Sequence, residues 1–209
     1  MLNIMNSSEK IERILTEFLN SKNKRELELN ASVRTVGDKI PTVLGHKIEK
    51  IFSKYIIQYT ILENSKKICN IIIKDKYLNN YYIDIITHNV KKEFARPNIT
   101  TVKNIEKLYT NDKNIFLILL IHYNPALENN FITNLQLFPI EWLDWKCLDI
   151  GALGNGQIQI KNSAHIILNK EVDRNVWKKN FNENLIVFYK KQQNKLRKRI
   201  SQLGEYSLF

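Results

Sequence analysis

Apolar positions recur along the chain with two periods, and the change from one to the other separates helical from strand-forming stretches. From Ser8 to Lys22, Ile11, Ile14, Leu15, Phe18 and Leu19 share one face of a 3.6-residue repeat. The spacing predicts a helix, with Ser7 or Ser8 available to cap it. A polar stretch, Asn23 to Asn30, follows. Leu44, Ile48, Ile51, Phe52 and Tyr55, three and four apart, predict a second helix from about Thr42 to Tyr59. The pattern then changes. Lys67 to Lys74 is β-branched, Asp75 to Asn80 reads as a turn, and Tyr81 to Thr87 is β-rich again, which predicts a hairpin over 67–87. Pro97-Asn98 is expected to open a third helix with Val102, Ile105, Leu108 and Tyr109 on one face. Ile115 to Tyr123 is almost wholly apolar, as suits a strand buried on both faces. Phe131 to Phe138 and Cys147 to Ile150 suit further strands, and Gln157 to Lys161 alternates like a half-buried one. A long basic helix is expected over 173–203.

No internal repeat or linker interrupts this order. Helices, a hairpin, a helix, a buried strand, further strands and a last helix predict one α/β domain over 1–209, a mixed sheet flanked by helices. The composition agrees with a folded protein: 44% of residues are hydrophobic and 25% charged. The formal net charge of +11 adds a preference for a polyanion, nucleic acid before an anionic membrane surface. The longest apolar run, Ile115 to Ile121, is too short to span a bilayer, and the first residues lack the apolar core of a signal peptide. Cys69 and Cys147 form no metal-ligand pattern and no disulfide framework, which fits a reducing cytoplasm.

Chemistry concentrates around the hairpin. Side chains alternate on a strand, so residues 84 and 86 point to the same face. The stretch Asn70-Ile71-Ile72-Ile73, followed by Tyr82-Ile83-Asp84-Ile85-Ile86-Thr87-His88-Asn89, resembles the PD-(D/E)xK nucleases. In that family an acid on the first strand of a hairpin, and an acid and a lysine two residues apart on the next, assemble the site. Two carboxylates hold Mg²⁺ and the lysine orients or deprotonates the attacking water. Further stretches are similar to type II restriction endonucleases of the HincII/EcoRV-like branch: Ala95-Arg96-Pro97-Asn98-Ile99, the glycine-rich Asp149 to Gly156, Gln157-Ile158-Gln159-Ile160, and Trp177-Lys178-Lys179 in the closing helix. The resemblance covers roughly residues 40 to 200.

The resemblance implies a restriction-endonuclease fold acting as a homodimer on a palindromic site in double-stranded DNA, with Mg²⁺-dependent hydrolysis leaving blunt ends. It places Asp84 as a metal ligand, Asn70 at the position of the other acid and metal ligand, and Ile86 at the lysine position. Asn70 brings no charge, and Ile86 can neither donate a hydrogen bond nor take a proton. Losing one positioned acid–base group costs about 10²–10⁴ in rate. Asp75 is a substitute acid to consider, as are Lys74, Lys91 and Lys92 for the lysine. A DNA-binding variant that no longer cuts is therefore the rival reading. A basic RNA-binding module is another, though an RNP-type aromatic motif is missing from the sequence.

The remaining candidates have plainer alternatives. Asp84 alone also suits a surface strand end, and Glu49 suits either support of the metal or a plain helix surface. Arg96 and Asn98 suit a helix start or a loop facing the DNA minor groove. Gly151 to Gln157 suits a turn, or a backbone held close to base edges, with Asn155, Gln157 and Gln159 reading adenine. Trp142 and Trp145 suit the core better than stacking platforms. The closing helix, with Lys190, Lys191, Lys195, Arg197, Lys198 and Arg199, suits phosphate contact. His46, His88, His122 and His165 show no metal-ligand spacing and read as structural, with a reservation for His88 beside Asp84.

Overall fold

The computed structural model describes residues 8–22, 26–27, 33–53, 56–62, 68–151 and 156–206. Helices α1 (Ser8–Asn20) and α2 (Val33–Phe52) come first. The strands β1 (Ile56–Ile61), β2 (Ile71–Asp75), β3 (Asn80–Asn89) and β4 (Asn98–Thr101) follow, then helix α3 (Val102–Leu108). The strands β5 (Asn114–Tyr123) and β6 (Ile132–Pro139), two short 3₁₀ turns, and the strands β7 (Leu148–Gly151) and β8 (Gln157–Ile160) lead to the long helix α4 (Arg174–Tyr206).

Five strands form one mixed sheet in the order β1-β2-β3-β5-β6. Within it β3 and β5 run parallel and the other neighbours antiparallel. Antiparallel neighbours can be joined by tight turns, whereas a parallel pair needs a crossover. Here β4 and α3 fill the crossover between β3 and β5. β4 pairs with β8, and β8 with β7, in a second sheet ordered β4-β8-β7. The chain is thus α/β, as expected, but with two sheets where the pattern predicts one.

Each face of the main sheet has its own core. Ile71, Ile73, Tyr81, Ile83 and Ile85 pack with α1 and α2, joined by Leu117, Leu119 and Ile121 of β5. The intervening β5 residues Phe116, Ile118 and Leu120 join Ile86 on the other face. That side is closed by Val102, Ile105 and Leu108 of α3, by Ile158 and Ile160, and by Trp177, Phe181, Leu185 and Phe188 of α4. This explains the unbroken apolar run of β5: both faces are covered.

Two elements depart from the periodicity. α2 begins at Val33 and carries Pro41 inside it. It ends at Phe52, and Ile56–Ile61 is an antiparallel strand, not helix. The residues Ile56, Ile57, Tyr59 and Thr60 are β-branched or aromatic and match the edge of β2 better than a helix surface. Pro97-Asn98 opens β4, not a helix; the helix starts at Val102, where the Thr101 side chain accepts the Asn104 N–H at 3.2 Å.

α4 is anchored through Arg174. Its guanidinium donates to the carbonyls of Asp112 at 2.9 Å and Asn114 at 2.6 Å, and lies 3.2 Å from Glu141 Oε1. The Tyr109 hydroxyl donates to the same carboxylate at 3.0 Å. Trp145 packs tilted against Trp177, with centroids 5.1 Å apart, and Trp142 packs against the same core, so both tryptophans are packing residues. Cys69 and Cys147 are buried free thiols. Among the described residues no helix is long and apolar enough to cross a membrane.

Candidate catalytic hairpin and nucleic-acid interface

The hairpin register decides what the predicted catalytic positions can do. Ile71 pairs with Ile83 and Ile72 with Tyr82. Asn70 lies just before β2, and its N–H donates to the Ile83 carbonyl at 2.9 Å. The Asn70 carbonyl accepts the Leu62 N–H at 2.9 Å, and its side-chain Oδ1 accepts the Ile85 N–H at 2.6 Å. Asn70 thus extends the sheet by main chain and side chain together.

Asp84 is buried beside it, and Ile86 is 4% exposed within the second core. The surroundings are core packing at position 86 and backbone pairing at position 70. Asp75 points to the opposite face of β2, with Ile71 and Ile73. Its carboxylate accepts from the Tyr77 N–H, the Asn79 N–H and side-chain amide, and the Tyr81 hydroxyl, at 2.8–3.1 Å. Burial pushes the Asp75 carboxyl up, and these hydrogen bonds outweigh it and hold it below the ordinary range. Asp75 clamps the turn and is not a substitute acid.

Lys74 pairs with Asn80 at the turn end, roughly 13 Å along the strand from position 70. Lys91 and Lys92 are exposed beyond the far end of β3. Glu49 is exposed on α2, which packs against the sheet face opposite Asp84, so the helix-surface reading holds for it.

Mg²⁺ requires near-octahedral oxygen coordination and keeps several waters beside one or two carboxylates. Asp84 supplies one carboxylate, the Asn70 oxygen is engaged by the backbone, and Ile86 supplies nothing. Among the described residues no three His, Cys, Asp or Glu side chains are already grouped to hold a metal. The donor set at the hairpin does not fit Mg²⁺.

The predicted DNA-contacting residues converge elsewhere. In the small sheet Asn98 pairs with Gln159, and Gln159 with Asp149. Ile158 and Ile160 turn inward to the core, so Gln157 and Gln159 stand on the outer face. Asn98, Gln159 and Asp149 therefore form one polar row across three strands. The Gln159 amide donates to Asn98 Oδ1, and Arg96 donates to Asp149 Oδ2 across the row. A Cβ at Gly151 would lie 2.4 Å from Gln159 Oε1, so this glycine makes room for the glutamine.

Asn155, and with it most of the glycine-rich segment, lies outside the described residues. Asp149 belongs to the row although composition singled out only the amides beside it. Its signal was present in strand alternation, since residues 149 and 151 share the outer face. His88 lies on the same face of β3 as Asp84 and Ile86 but is buried two residues further along. No protein-family model matches this chain, and no curated protein matches it.

Proposed function

We propose that the chain binds duplex DNA on a scaffold of the type II restriction endonuclease kind, with a hydrolytic site that has lost the groups needed to cut. The observation that carries the reading is the exposed polar row of Asn98, Gln159 and Asp149, with Arg96 reaching across it, in a chain of charge +11. Amides and a guanidinium on a rigid sheet supply the donors and acceptors that base edges need. The lysines and arginines of α4 supply phosphate contact, so binding weakens with salt.

The mixed five-stranded sheet between helices suits such a scaffold, as does the bond from the Ile85 N–H to Asn70 Oδ1, which ties position 70 to the strand that carries Asp84. A palindromic site would be read by a homodimer. Work in the cytoplasm would keep the two buried thiols reduced. Of the readings open from the sequence, the non-cutting DNA binder is favoured because the Asn70 oxygen is engaged and Ile86 is core.

The test is binding to a pool of short duplexes, with selection of the bound fraction, beside a cleavage assay in Mg²⁺. The expected result is salt-sensitive, sequence-selective duplex binding without strand scission. Preference for single-stranded RNA over every duplex would replace this reading with an RNA-binding one. Efficient Mg²⁺-dependent cutting by the unaltered chain would show that the hairpin is a working site.

A further inference from the structure

The closing helix carries a second pattern that neither the core nor phosphate contact explains. Its first half packs on the body of the protein through Trp177, Phe181, Leu185 and Phe188. From Tyr189 to Leu203 no residue is buried, and all but Gln192 are exposed. An apolar stripe nevertheless continues there. Ile186, Tyr189, Leu196, Ile200 and Leu203 are 46% to 68% exposed. With Gln193 they recur at alternating steps of three and four residues. At roughly 100° per residue, the stripe lies about 90° around the helix from the core face. The core face itself runs on into Gln192, Lys195 and Arg199, which are polar.

The alternating steps define heptads. Ile186, Gln193 and Ile200 take the first seam position, and Tyr189, Leu196 and Leu203 take the fourth. A β-branched residue at the first and leucine at the fourth suit the pairing of two helices, and one polar residue in the seam fixes their register. Two seam residues per heptad make the narrow contact of a helix pair, not the broader apolar face that a helix lays on a core.

The flanks of the seam say what kind of helix fits. Lys190 and Arg197 line one edge, and Gln192 and Arg199 the other. No acidic residue lies between positions 190 and 203. Lys191, Lys195 and Arg199 follow one another at steps of four, where like charges destabilise a helix. A second copy of the chain would set basic edge against basic edge and add to this repulsion. An acidic helix relieves it. Phosphate would also take the cations, but it covers no apolar surface.

We propose that the distal half of α4 is a docking surface for an acidic amphipathic helix of another protein. That helix lays its own apolar seam along Ile186 to Leu203 and sets Asp or Glu side chains against Lys190, Arg197 and Arg199. The surface does not depend on the duplex reading. On that reading, phosphate contact and docking draw on the same cations, so the partner is also a competitor of DNA.

The test uses the full chain and a fluorescent synthetic helix of about three heptads, with Ile and Leu at the seam positions and Glu on both flanks. Anisotropy, circular dichroism and sedimentation follow the mixture. The expected result is one peptide bound per monomeric chain, with helicity gained on binding and affinity that falls as salt rises. Leu196→Ala with Ile200→Ala weakens binding by about 100-fold, through the apolar area no longer covered. Arg197→Gln with Arg199→Gln weakens it by about 10-fold. All four side chains are exposed in the free chain, so these variants keep the fold. The same peptide with Lys on its flanks should not bind. No binding of the acidic peptide overturns the proposal, as does equal binding of the Lys peptide. Acidic-peptide binding that ignores Leu196→Ala with Ile200→Ala overturns it in favour of a surface that reads charge alone. A chain that sediments as a dimer, and as a monomer with those two substitutions, overturns it in favour of a second copy. Binding to phosphatidylserine vesicles that the same two substitutions abolish, without peptide binding, overturns it in favour of a bilayer.

Discussion

The open end of the β2–β3 hairpin and the outer face of the small sheet carry the same kinds of side chain and hold them in opposite ways. At the hairpin, Asn70 and Asp84 are 5% and 9% exposed, and the Asn70 amide oxygen is committed to a backbone N–H. On the small sheet, the Asn98–Gln159 and Arg96–Asp149 pairs are exposed and join side chain to side chain. A buried acceptor that satisfies a backbone donor cannot leave without exposing a cost of about 1–3 kcal/mol. An exposed ion pair is worth roughly 0–1 kcal/mol and can be exchanged for a ligand. Identical residue types therefore serve the fold in one region and remain available to a partner in the other.

The strongest way to break this contrast is to place a lysine at position 86 of the hairpin. Ile86 lies in the core among Ile118, Leu120 and Phe116. Ile86→Lys buries a charge without a built partner, so urea unfolding should show a loss of roughly 3–5 kcal/mol. The double substitution Asn70→Asp, Ile86→Lys should be no more stable. If it unfolds within about 1 kcal/mol of the natural chain and gains Mg²⁺-dependent cleavage, the hairpin is an open site and the contrast is wrong.

Removing the amide at the hairpin should cost less. Asn70→Ala leaves the Ile85 N–H without its acceptor, so chemical denaturation should report a loss of about 1–3 kcal/mol with duplex affinity nearly unchanged. The mirror experiment uses the small sheet. Gln159→Ala should alter stability by less than about 0.5 kcal/mol, yet weaken binding to the selected duplex by about 1–3 kcal/mol. Arg96→Ala should likewise weaken the selected duplex more than unrelated ones. Equal stability losses for Asn70→Ala and Gln159→Ala would erase the distinction.

Much of this was legible in the chain. The β5 run, the hairpin and the alternation of Gln157 to Ile160 appear where their periods place them, because each is set by burial on a known number of faces; the long basic helix also appears where expected, although its second half is exposed. Three things were not. The end of α2 and the start of α3 fall elsewhere than the patterns place them, since the spacing of Leu44, Ile48 and Ile51 carries no stop signal before β1 and Pro97-Asn98 suits either a strand or a helix start. The commitment of the Asn70 oxygen depends on a bond across strands. The meeting of His88 and His122 depends on the register of two parallel strands separated by a crossover, so no local spacing records it.

That histidine pair gives the smallest of the effects, and it separates the two kinds of buried polar group by pH. Both rings titrate below the ordinary histidine value of 6.5, through burial first and, for His88, the neighbouring His122 and His165. The other charged groups lining the cavity that both rings face, Lys92 and Glu93, have opposite signs. The unfolded chain therefore binds more protons than the folded one once the pH falls below about 6.5. Stability should be level above that point and decline as the pH drops through it, with the full loss reached below the folded values. Asp75 acts in a lower window: its carboxyl is held below 3.8, so the stability it contributes is lost only as the pH falls through that region. Thermal melts from pH 8 to pH 3 should thus show two separate declines. His122→Gln should flatten the upper one and leave the lower intact, because the group removed is a part-buried ring that loses solvation when charged, while the turn clamp at Asp75 is untouched. An upper decline that survives His122→Gln and His88→Gln together would mean that neither ring is held neutral by the fold.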